Sequence, residues 1–267
     1  MAQTARDIAR NPVKEKLARG EVVASMAVRI VPGIEIVRIA KSAGFDMLYV
    51  DLEHSAFSMQ TTSQISIMGL EAGMPVFVRV PAYTADYVSR VMDGGALGVI
   101  APGVRSAEEA RHVVDAVKYP PMGSRGLGPG LPLLQYRTFP QSEALPAMND
   151  ATMVIVQFES AAALEAMEEI IAVPGVDLIL IGTNDMLADM GLPGQYDHPK
   201  VEDAYKRTIA CCRKHGKHVG VGGLASRPDL TAEFVKMGAR YVSTGTDLGF
   251  LMGVCQQKAK QVRELKT

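Results

Sequence analysis

The chain has 267 residues, of which 48% are hydrophobic and 21% are charged, and its net charge is -1. This composition predicts one large domain with a substantial core, and the near-neutral charge gives no electrostatic basis for binding nucleic acid or an anionic membrane. No apolar run approaches the ~20 residues that span a bilayer, and residues 1–11 are too polar for a secretory signal, so we expect a cytoplasmic protein.

Apolar strand patterns alternate with helical patterns along the whole chain. The predicted strands are 22–28, 47–51, 76–80, 98–101, 153–159, 178–181, 218–221 and 241–244. The predicted helices are 32–43, 61–71, 85–94, 107–118, 161–172, 200–214 and 228–237. Eight such alternations, with strands that are apolar on both faces, predict a single (β/α)8 TIM barrel over residues 1–267. The alternative is an open doubly wound sheet, but no glycine-rich phosphate-binding turn follows an early strand.

The segment 119–149 differs from the rest of the chain because it is rich in proline and glycine. It contains the pairs Pro120-Pro121 and Pro129-Gly130. A loop of this length inside a domain is usually a lid, a binding loop or disordered. Because it follows the fourth strand–helix pair, we expect an active-site loop at the rim of the barrel.

Charged residues follow the second and third predicted strands. In a parallel barrel the carboxyl ends of the strands form the face that carries active sites. Asp51, Glu53 and His54 follow the second strand, and the ordinary pKa of a histidine suits a general base, although a loop histidine bonded to backbone is an alternative. Arg79 ends the third strand, where its guanidinium needs either a substrate carboxylate or a salt bridge to Asp51 or Glu53.

Two acids lie at the ends of two neighbouring apolar strands, Glu159 as the last residue of the fifth predicted strand and Asp185 just past the sixth. Two carboxylates at neighbouring strand ends form an oxygen-rich site that suits Mg²⁺, Mn²⁺ or Co²⁺. The alternative is that each acid caps the helix that follows it. Ser160 offers another cap for the first of these helices, which would free Glu159.

These residues and several longer motifs resemble the HpcH/HpaI family of class II pyruvate aldolases, over about residues 16–251. The stretches that carry the resemblance are Asp51-Leu52-Glu53-His54, Val78-Arg79-Val80-Pro81, Asp93-Gly94-Gly95-Ala96, Gln157-Phe158-Glu159-Ser160, Gly182-Thr183-Asn184-Asp185 and Thr244-Gly245-Thr246-Asp247. The resemblance implies a divalent-metal-dependent lyase that reversibly cleaves a 4-hydroxy-2-oxoacid to pyruvate and an aldehyde through a metal-bound pyruvate enolate. No lysine stands at a predicted strand end, which argues against a Schiff-base aldolase.

The resemblance also implies roles for the charged residues. Glu159 and Asp185 would be the two protein ligands of the metal, which pyruvate binds through its keto and carboxylate oxygens. Arg79 would meet the keto oxygen and stabilise the enolate. His54 would be the acid–base residue of the aldol step, oriented by Asp51.

The remaining implied roles concern the rim of the site and a neighbouring subunit. Gln157 would line the site near the metal, and the backbone around Gly182 and Thr183 would hold the pyruvate carboxylate. Asn184, where many members of the family have a smaller residue, would affect substrate selectivity. Asp93 would pair with the catalytic histidine of another subunit in a homo-oligomer, a hexamer built as a dimer of trimers with the C-terminal helix exchanged between subunits.

Two other functions remain open from the sequence. One is a different reaction on the same type of barrel, either oxaloacetate decarboxylation or cleavage of an acyl-CoA ester, although the near-neutral charge disfavours the CoA substrate. The other is a barrel kept only as a binding scaffold, for which Leu52 and Asn184 are the only hints. Retention of all four charged residues, Arg79, His54, Glu159 and Asp185, favours an enzyme.

Overall fold

Eight parallel strands close into a barrel in a computed structural model that describes residues 3–265. Each strand pairs with the next along the chain, and β8 pairs with β1. The strands are β1 Val23–Val28, β2 Met47–Asp51, β3 Val76–Arg79, β4 Gly98–Ala101, β5 Met153–Phe158, β6 Leu178–Gly182, β7 His218–Gly222 and β8 Tyr241–Thr246. The predicted (β/α)8 barrel is therefore confirmed.

Helices surround the barrel and also cover its amino end. They are α1 Ala5–Ile8, α2 Pro12–Ala18, α3 Glu35–Ser42, α4 Met59–Ala72, α5 Ala85–Asp93, α6 Ala107–Val117, α7 Gln141–Ala151, α8 Ala161–Glu165, α9 Met167–Ala172, α10 Thr183–Asp189, α11 Pro199–Lys214, α12 Pro228–Met237 and α13 Asp247–Arg263. The helix predicted at 161–172 is two helices that meet at Ala166. Within residues 3–265, no helix is both long and apolar enough to cross a bilayer.

The strands sort their side chains by a period of two. Along β2, Leu48 and Val50 pack in the outer hydrophobic layer beneath the helices. Met47 and Tyr49 belong to the inner layer that fills the barrel. Because successive side chains alternate between faces, Asp51 at the end of the same strand shares the inner face. The last inward residue of each strand therefore points into the mouth of the barrel at its carboxyl end.

The segment 119–149 lies at the opposite end of the barrel from that mouth. Helix α6 runs back toward the amino ends of the strands, so the chain that follows it emerges there. The Lys118 ammonium donates hydrogen bonds to the carbonyl oxygens of Asn149 (2.8 Å) and Thr152 (2.6 Å), just before β5 begins. Within one chain this segment therefore does not reach the mouth of the barrel, so its role as an active-site loop stays a prediction, and its last part is helix α7.

One buried carboxylate joins the end of β8 to the end of β1. Asp247, the first residue of α13, accepts hydrogen bonds from the backbone N–H groups of Arg29 (3.0 Å), Ile30 (2.9 Å) and Val31 (2.9 Å). A carboxylate that accepts several backbone N–H groups is a strong contact because it satisfies otherwise unpaired donors. It therefore fixes the path of the chain where it leaves β1.

Beyond this contact, α13 exposes a series of apolar side chains. Leu248, Phe250, Leu251, Met252 and Val254 are all exposed in the single chain. A contiguous exposed apolar surface of this kind is typical of a protein–protein contact.

We expect Asp247→Ala to lower the free energy of unfolding by about 2–4 kcal/mol, because it leaves three backbone N–H groups of the loop after β1 without their acceptor. Urea unfolding would measure the loss. Asp203→Ala is the control, since Asp203 is exposed and pairs only with Arg207 at 3.5 Å, and its loss should cost less than about 0.5 kcal/mol. Equal effects of the two substitutions would contradict the role given to Asp247.

Candidate active site

A cavity of about 570 Å³ opens at the carboxyl end of the barrel. It brings together five of the residues singled out in the sequence, namely Arg79, Gln157, Gly182, Asn184 and Asp185. It is also lined by Arg29, Tyr49 and Tyr196, and by residues of the loops after β7 and β8. The strand-end residues predicted from the sequence thus converge on one polar site, which is where active sites lie in this fold.

Glu159 lies directly after β5 and is held by two donors. Its Oε2 accepts a hydrogen bond from the backbone N–H of Gly103 (2.8 Å), and its Oε1 accepts one from Gln157 Nε2 (2.5 Å). Ser160 caps α8 through the N–H of Ala163 (3.2 Å), as expected from the sequence. The helix-capping alternative therefore does not apply to Glu159.

Asp185 lies in the first turn of α10, beside Glu159. Its side chain is exposed and makes no hydrogen bond or ion pair with any other residue that the structure describes. The pKa of Glu159 is raised to about 7, chiefly by burial and also by the negative charges of Asp185 and Glu53, while the hydrogen bond from Gly103 opposes the rise. A divalent cation placed between these two carboxylates would offset the repulsion that Asp185 exerts on the charge of Glu159.

Gly182 leaves the space that the side chains of Glu159 and Gln157 need. A Cβ atom at this position would lie 2.9 Å from Gln157 Nε2 and 2.9 Å from Glu159 Cγ. The φ angle of Gly182 is -84°, so close packing rather than backbone conformation requires glycine here. The carboxylate of Glu159 and the amide of Gln157 are thus packed against bare backbone, and this donor set suits a hard metal ion.

On the other side of the barrel, Asp51 lies between two arginines. Arg79 donates from Nε to Oδ1 (2.9 Å) and from Nη2 to Oδ2 (2.6 Å), and Arg29 donates from Nε to Oδ2 (2.6 Å). Burial alone would raise the pKa of Asp51, but the hydrogen bonds and charges of Arg79 and Arg29 outweigh it and hold this pKa below its usual value.

Arg79 also contacts Glu53, since Nη1 lies 2.9 Å from Glu53 Oε2. The salt bridges to Asp51 and Glu53, which the sequence left as an alternative, are therefore both present. They do not remove Arg79 from the site, because its guanidinium still lines the cavity while being only 3% exposed. Arg79 can therefore form the salt bridges to Asp51 and Glu53 and still meet a substrate in the cavity.

His54 stands at the edge of the site, with 54% of its side chain exposed. Its Nε2 is 3.6 Å from Glu53 Oε2. Asp51 Oδ1 accepts from the backbone N–H of His54 (3.3 Å), not from the ring. In the single chain Asp51 therefore does not contact the imidazole that it was expected to orient, because the two guanidiniums occupy its carboxylate, and Glu53 is the acid beside the ring.

Asp93 lies at the other end of the barrel. It ends α5, which runs toward the amino ends of the strands, and its Oδ1 is 2.5 Å from Arg125 Nη2. Within one chain Asp93 therefore cannot reach His54. A contact between them would require a second copy of the chain.

Thr183 and Asn184, the two predicted residues that precede Asp185, differ in what their side chains contact. Thr183 is fully buried, and its hydroxyl donates to the carbonyl of Gly222 (2.8 Å) and lies 2.9 Å from the hydroxyl of Tyr205. Only its backbone belongs to the site. Asn184 lines the cavity, and its Oδ1 accepts from the hydroxyl of Tyr196 (2.7 Å).

Arg29 is a site residue that the motifs do not indicate. The signal for it in the sequence is the alternation of Val23, Ser25, Ala27 and Arg29. The first three are small inward-facing residues of β1, and Arg29 occupies the next inward position. The strand pattern alone would have marked it for the same reason as Asp51 and Arg79.

Among residues 3–265, one group of three potential metal ligands lies outside this site. Glu168 Oε2 accepts from Cys211 Sγ (3.1 Å), and its Oε1 is 2.8 Å from His215 Nε2. Lys214 also contacts Oε1 at 2.6 Å. The charge of this carboxylate is thus already balanced by Lys214, and the group lies on helices α9 and α11 of the outer layer.

This chain resembles known aldolases in sequence and in structure. The model of a family described as HpcH/HpaI aldolase/citrate lyase matches residues 31–253. A 4-hydroxy-4-methyl-2-oxoglutarate aldolase from Hapsidospora irregularis is 36% identical over 244 residues, which are 90% of each chain. A 2-keto-3-deoxy-L-rhamnonate aldolase from Escherichia coli K12 is 33% identical over 238 residues, covering 89% of this chain and 87% of that one.

A solved structure shares the whole architecture. The crystal structure of an HpcH/HpaI aldolase from Desulfitobacterium hafniense DCB-2 superposes with a TM-score of 0.90 at 32% identity. The match covers 95% of this chain and 97% of the other.

We expect the affinity for Mn²⁺ to fall as the pH is lowered through 7, because protons compete with the metal for Glu159, whose pKa is about 7. Between pH 7 and pH 5.5 the loss should approach about tenfold per pH unit, and above pH 7.5 the affinity should level off. Calorimetric titration at several pH values would measure it. An affinity that stayed constant from pH 5.5 to pH 8 would contradict the role of Glu159.

Proposed function

Because this chain belongs to the HpcH/HpaI aldolase/citrate lyase family and is an aldolase-type carbon–carbon lyase, we propose that the site at the carboxyl end of its barrel cleaves a 4-hydroxy-2-oxoacid. The reaction is reversible and yields pyruvate and an aldehyde or ketone. The observation that carries the proposal is the convergence of Asp185 and Arg79 on one cavity, with the carboxylate of Glu159 packed against its Gly182 wall.

Glu159 and Asp185 would hold a divalent cation, with Mg²⁺, Mn²⁺ and Co²⁺ as the candidates. Such a cation would supply Lewis-acid charge to the keto group of the substrate. Gln157 fixes one oxygen of Glu159 and Gly103 fixes the other, so the carboxylate is oriented before the substrate arrives.

Arg79 supplies a permanent positive charge at the keto oxygen. When the bond between the third and fourth carbons breaks, its electron pair moves into an enolate, and negative charge develops on that oxygen. Asp51 raises the pKa of Arg79 and holds its guanidinium in place, so the charge is preorganised where the enolate forms.

His54 moves the proton. In the cleavage direction it takes the proton from the 4-hydroxyl group as the carbonyl of the aldehyde forms, and it returns the proton in synthesis. Glu53 is the acid nearest to the ring, with Oε2 at 3.6 Å from Nε2 of the imidazole. The backbone of Gly182 and Thr183 would hold the pyruvate carboxylate, and Asn184, which accepts a hydrogen bond from Tyr196, would contribute to selectivity at the rim.

The other half of the substrate is the acceptor, the aldehyde or ketone to which pyruvate adds in the synthetic direction. The names of the two relatives differ in this half, because a 2-oxoglutarate carries a second carboxylate whereas a deoxyrhamnonate carries hydroxyl groups. Membership of the family therefore leaves the acceptor open.

The assembly that we propose is a homo-oligomer, a hexamer built as a dimer of trimers. Two features support it. The exposed apolar side chains of α13, among them Leu251 and Met252, need a covering surface. Asp93, at the amino end of one barrel, becomes useful to His54 only in a neighbouring subunit.

We also propose that the protein works in the cytoplasm. The three cysteines, Cys211, Cys212 and Cys255, are all free thiols in the structure. Free thiols are typical of a reducing compartment.

We expect Glu159→Gln to lower metal-dependent pyruvate formation by at least about 100-fold, because the amide removes the charge that holds the cation. Glu165→Gln is the matched control, since Glu165 is exposed at the end of α8 and should leave the rate unchanged. A coupled assay of pyruvate release, run with Mn²⁺ and with EDTA, would measure it. Full activity of Glu159→Gln would disprove the proposal, and preferential turnover of oxaloacetate would favour the decarboxylase alternative.

We expect His54→Ala and Asp93→Asn to be nearly inactive as separate proteins and to regain activity when the two chains are co-expressed. In mixed oligomers about a quarter of the sites would combine an intact His54 with an intact Asp93 from a neighbour. Steady-state rates of the purified hybrids, together with their mass by sedimentation, would test this. No recovery in a proven hybrid, or a monomer at micromolar concentration, would contradict a shared site.

A further inference from the structure

We propose that Glu168, Cys211 and His215 form a binding site for Zn²⁺ on the outer helical layer, separate from the site at the mouth of the barrel. Glu168 belongs to α9, Cys211 lies in the last turn of α11, and His215 follows that helix directly. The bound ion would join two helices of consecutive strand–helix units. The inference is independent of the aldol chemistry, because none of these three side chains lines the cavity at the carboxyl end.

The site lies toward the amino end of the barrel. His215 lines a cavity of about 270 Å³ together with Asp177 and His218. Because His218 is the first residue of β7, this cavity opens at the end of the barrel opposite the mouth. A metal ion bound by His215 would therefore have a structural role and would not meet the substrate.

Cys211 and His215 are spaced so that both can bind one ion. They are four positions apart, and side chains with this spacing lie on the same side of a helix. The helical turn continues to His215, because its backbone N–H donates to the carbonyl oxygen of Cys211 (3.2 Å). Two ligands one helical turn apart can bind the same metal ion without a change in the path of the backbone.

The thiol and the imidazole meet one carboxylate. Cys211 Sγ lies 3.1 Å from Glu168 Oε2, and His215 Nε2 lies 2.8 Å from Glu168 Oε1. The potential ligand atoms of the three residues all lie within 4.8 Å of one another. The bond lengths of a tetrahedral zinc site place neighbouring ligand atoms about 3.3–3.6 Å apart. Widening each of the two contacts by about 0.5 Å would therefore admit the ion.

The charges of the group also suit a divalent cation. Burial and the negative charge of Glu168 raise the pKa of the Cys211 thiol to about 11, so the binding of Zn²⁺ would release this proton to water. The thiolate and the carboxylate together then carry two negative charges, which equal the charge of the ion. The ammonium of Lys214, now 2.6 Å from Glu168 Oε1, becomes surplus, and its side chain is 67% exposed and can turn into solvent.

The types of ligand separate this site from the one at the mouth of the barrel. Sulfur and imidazole nitrogen favour Zn²⁺ and similar metals and bind Mg²⁺ poorly. Glu159 and Asp185, by contrast, offer only oxygen. Glu168 is exposed, so water can complete the coordination of the proposed ion.

The alternative is that Glu168 only anchors a cluster of hydrogen bonds and ion pairs. Removal of Lys214 would then leave the affinity for Zn²⁺ unchanged. In the proposed site Lys214 competes with the ion for Glu168 Oε1. We therefore expect Lys214→Ala to raise the affinity for Zn²⁺ by about two- to fivefold, which corresponds to the loss of an exposed salt bridge. Lys206→Ala, which removes another exposed lysine of α11, is the control and should leave the affinity unchanged.

The experiment uses the full chain with the substitution Glu159→Gln, which weakens metal binding at the mouth of the barrel, and Co²⁺ as a spectroscopic probe. A cobalt–thiolate bond gives an intense charge-transfer band in the near ultraviolet, which oxygen ligands do not give. We expect one Co²⁺ per chain to produce this band and Zn²⁺ to displace it. Adding Cys211→Ala should abolish the band and lower the affinity for Zn²⁺ at least about 100-fold. Cys212→Ala, at the buried neighbouring thiol, and Cys255→Ala should each retain it.

A second measurement checks that the altered chains are folded. Zn²⁺ should raise the unfolding temperature of the Glu159→Gln chain and leave that of the chain with Cys211→Ala unchanged. His215→Ala and Glu168→Gln should each lower the affinity for Zn²⁺ at least about tenfold. A charge-transfer band that persisted in a folded chain with Cys211→Ala would overturn the inference. So would the absence of the band in the chain that keeps all three cysteines.

Discussion

The buried carboxylate of Asp51, held between Arg29 and Arg79, is the interaction on which the rest of the site depends. Neither Asp51 nor Arg79 could remain charged at this depth alone, because desolvation penalises an isolated buried ion. Together they are stable, and the shared carboxylate ties the ends of β1, β2 and β3 to one another. The positive charge that faces the substrate is therefore part of the barrel rather than of a mobile loop.

On the opposite wall of the site, the surroundings shift the pKa of a carboxyl group in the other direction. There, Glu159 is held by neutral donors, and its nearest charged neighbours are acidic, so its pKa rises instead of falling. Two carboxyl groups, at Asp51 and Glu159, thus have their pKa values displaced in opposite directions by their surroundings. An arginine wall that carries permanent charge and an acid wall suited to a divalent cation form the two halves of the site proposed for enolate chemistry.

Several features of this arrangement follow from local sequence patterns. The alternation of eight apolar strands with helices predicted the barrel, and strand-end position predicted that Arg79 and Asp185 converge, whereas Gln157 was expected there only from the family resemblance. Other features did not follow, because they depend on which end of the barrel a segment reaches. The segment 119–149 lies at the amino end since α6 reverses the direction of the chain, and Asp93 lies there for the same reason. Arg29 went unrecognised because it belongs to no motif.

The sequence by itself determined the barrel, its strand order and the acids and arginine at the strand ends, because alternation and strand-end position are properties of the chain over a few residues. Only the tertiary structure decided the partners. Asp51 contacts two guanidiniums instead of the imidazole of His54, and Asp247 fixes the backbone of Arg29 across 218 positions of the chain. Pairings of this kind depend on distances between strands that closure of the barrel sets, and no local pattern records those distances.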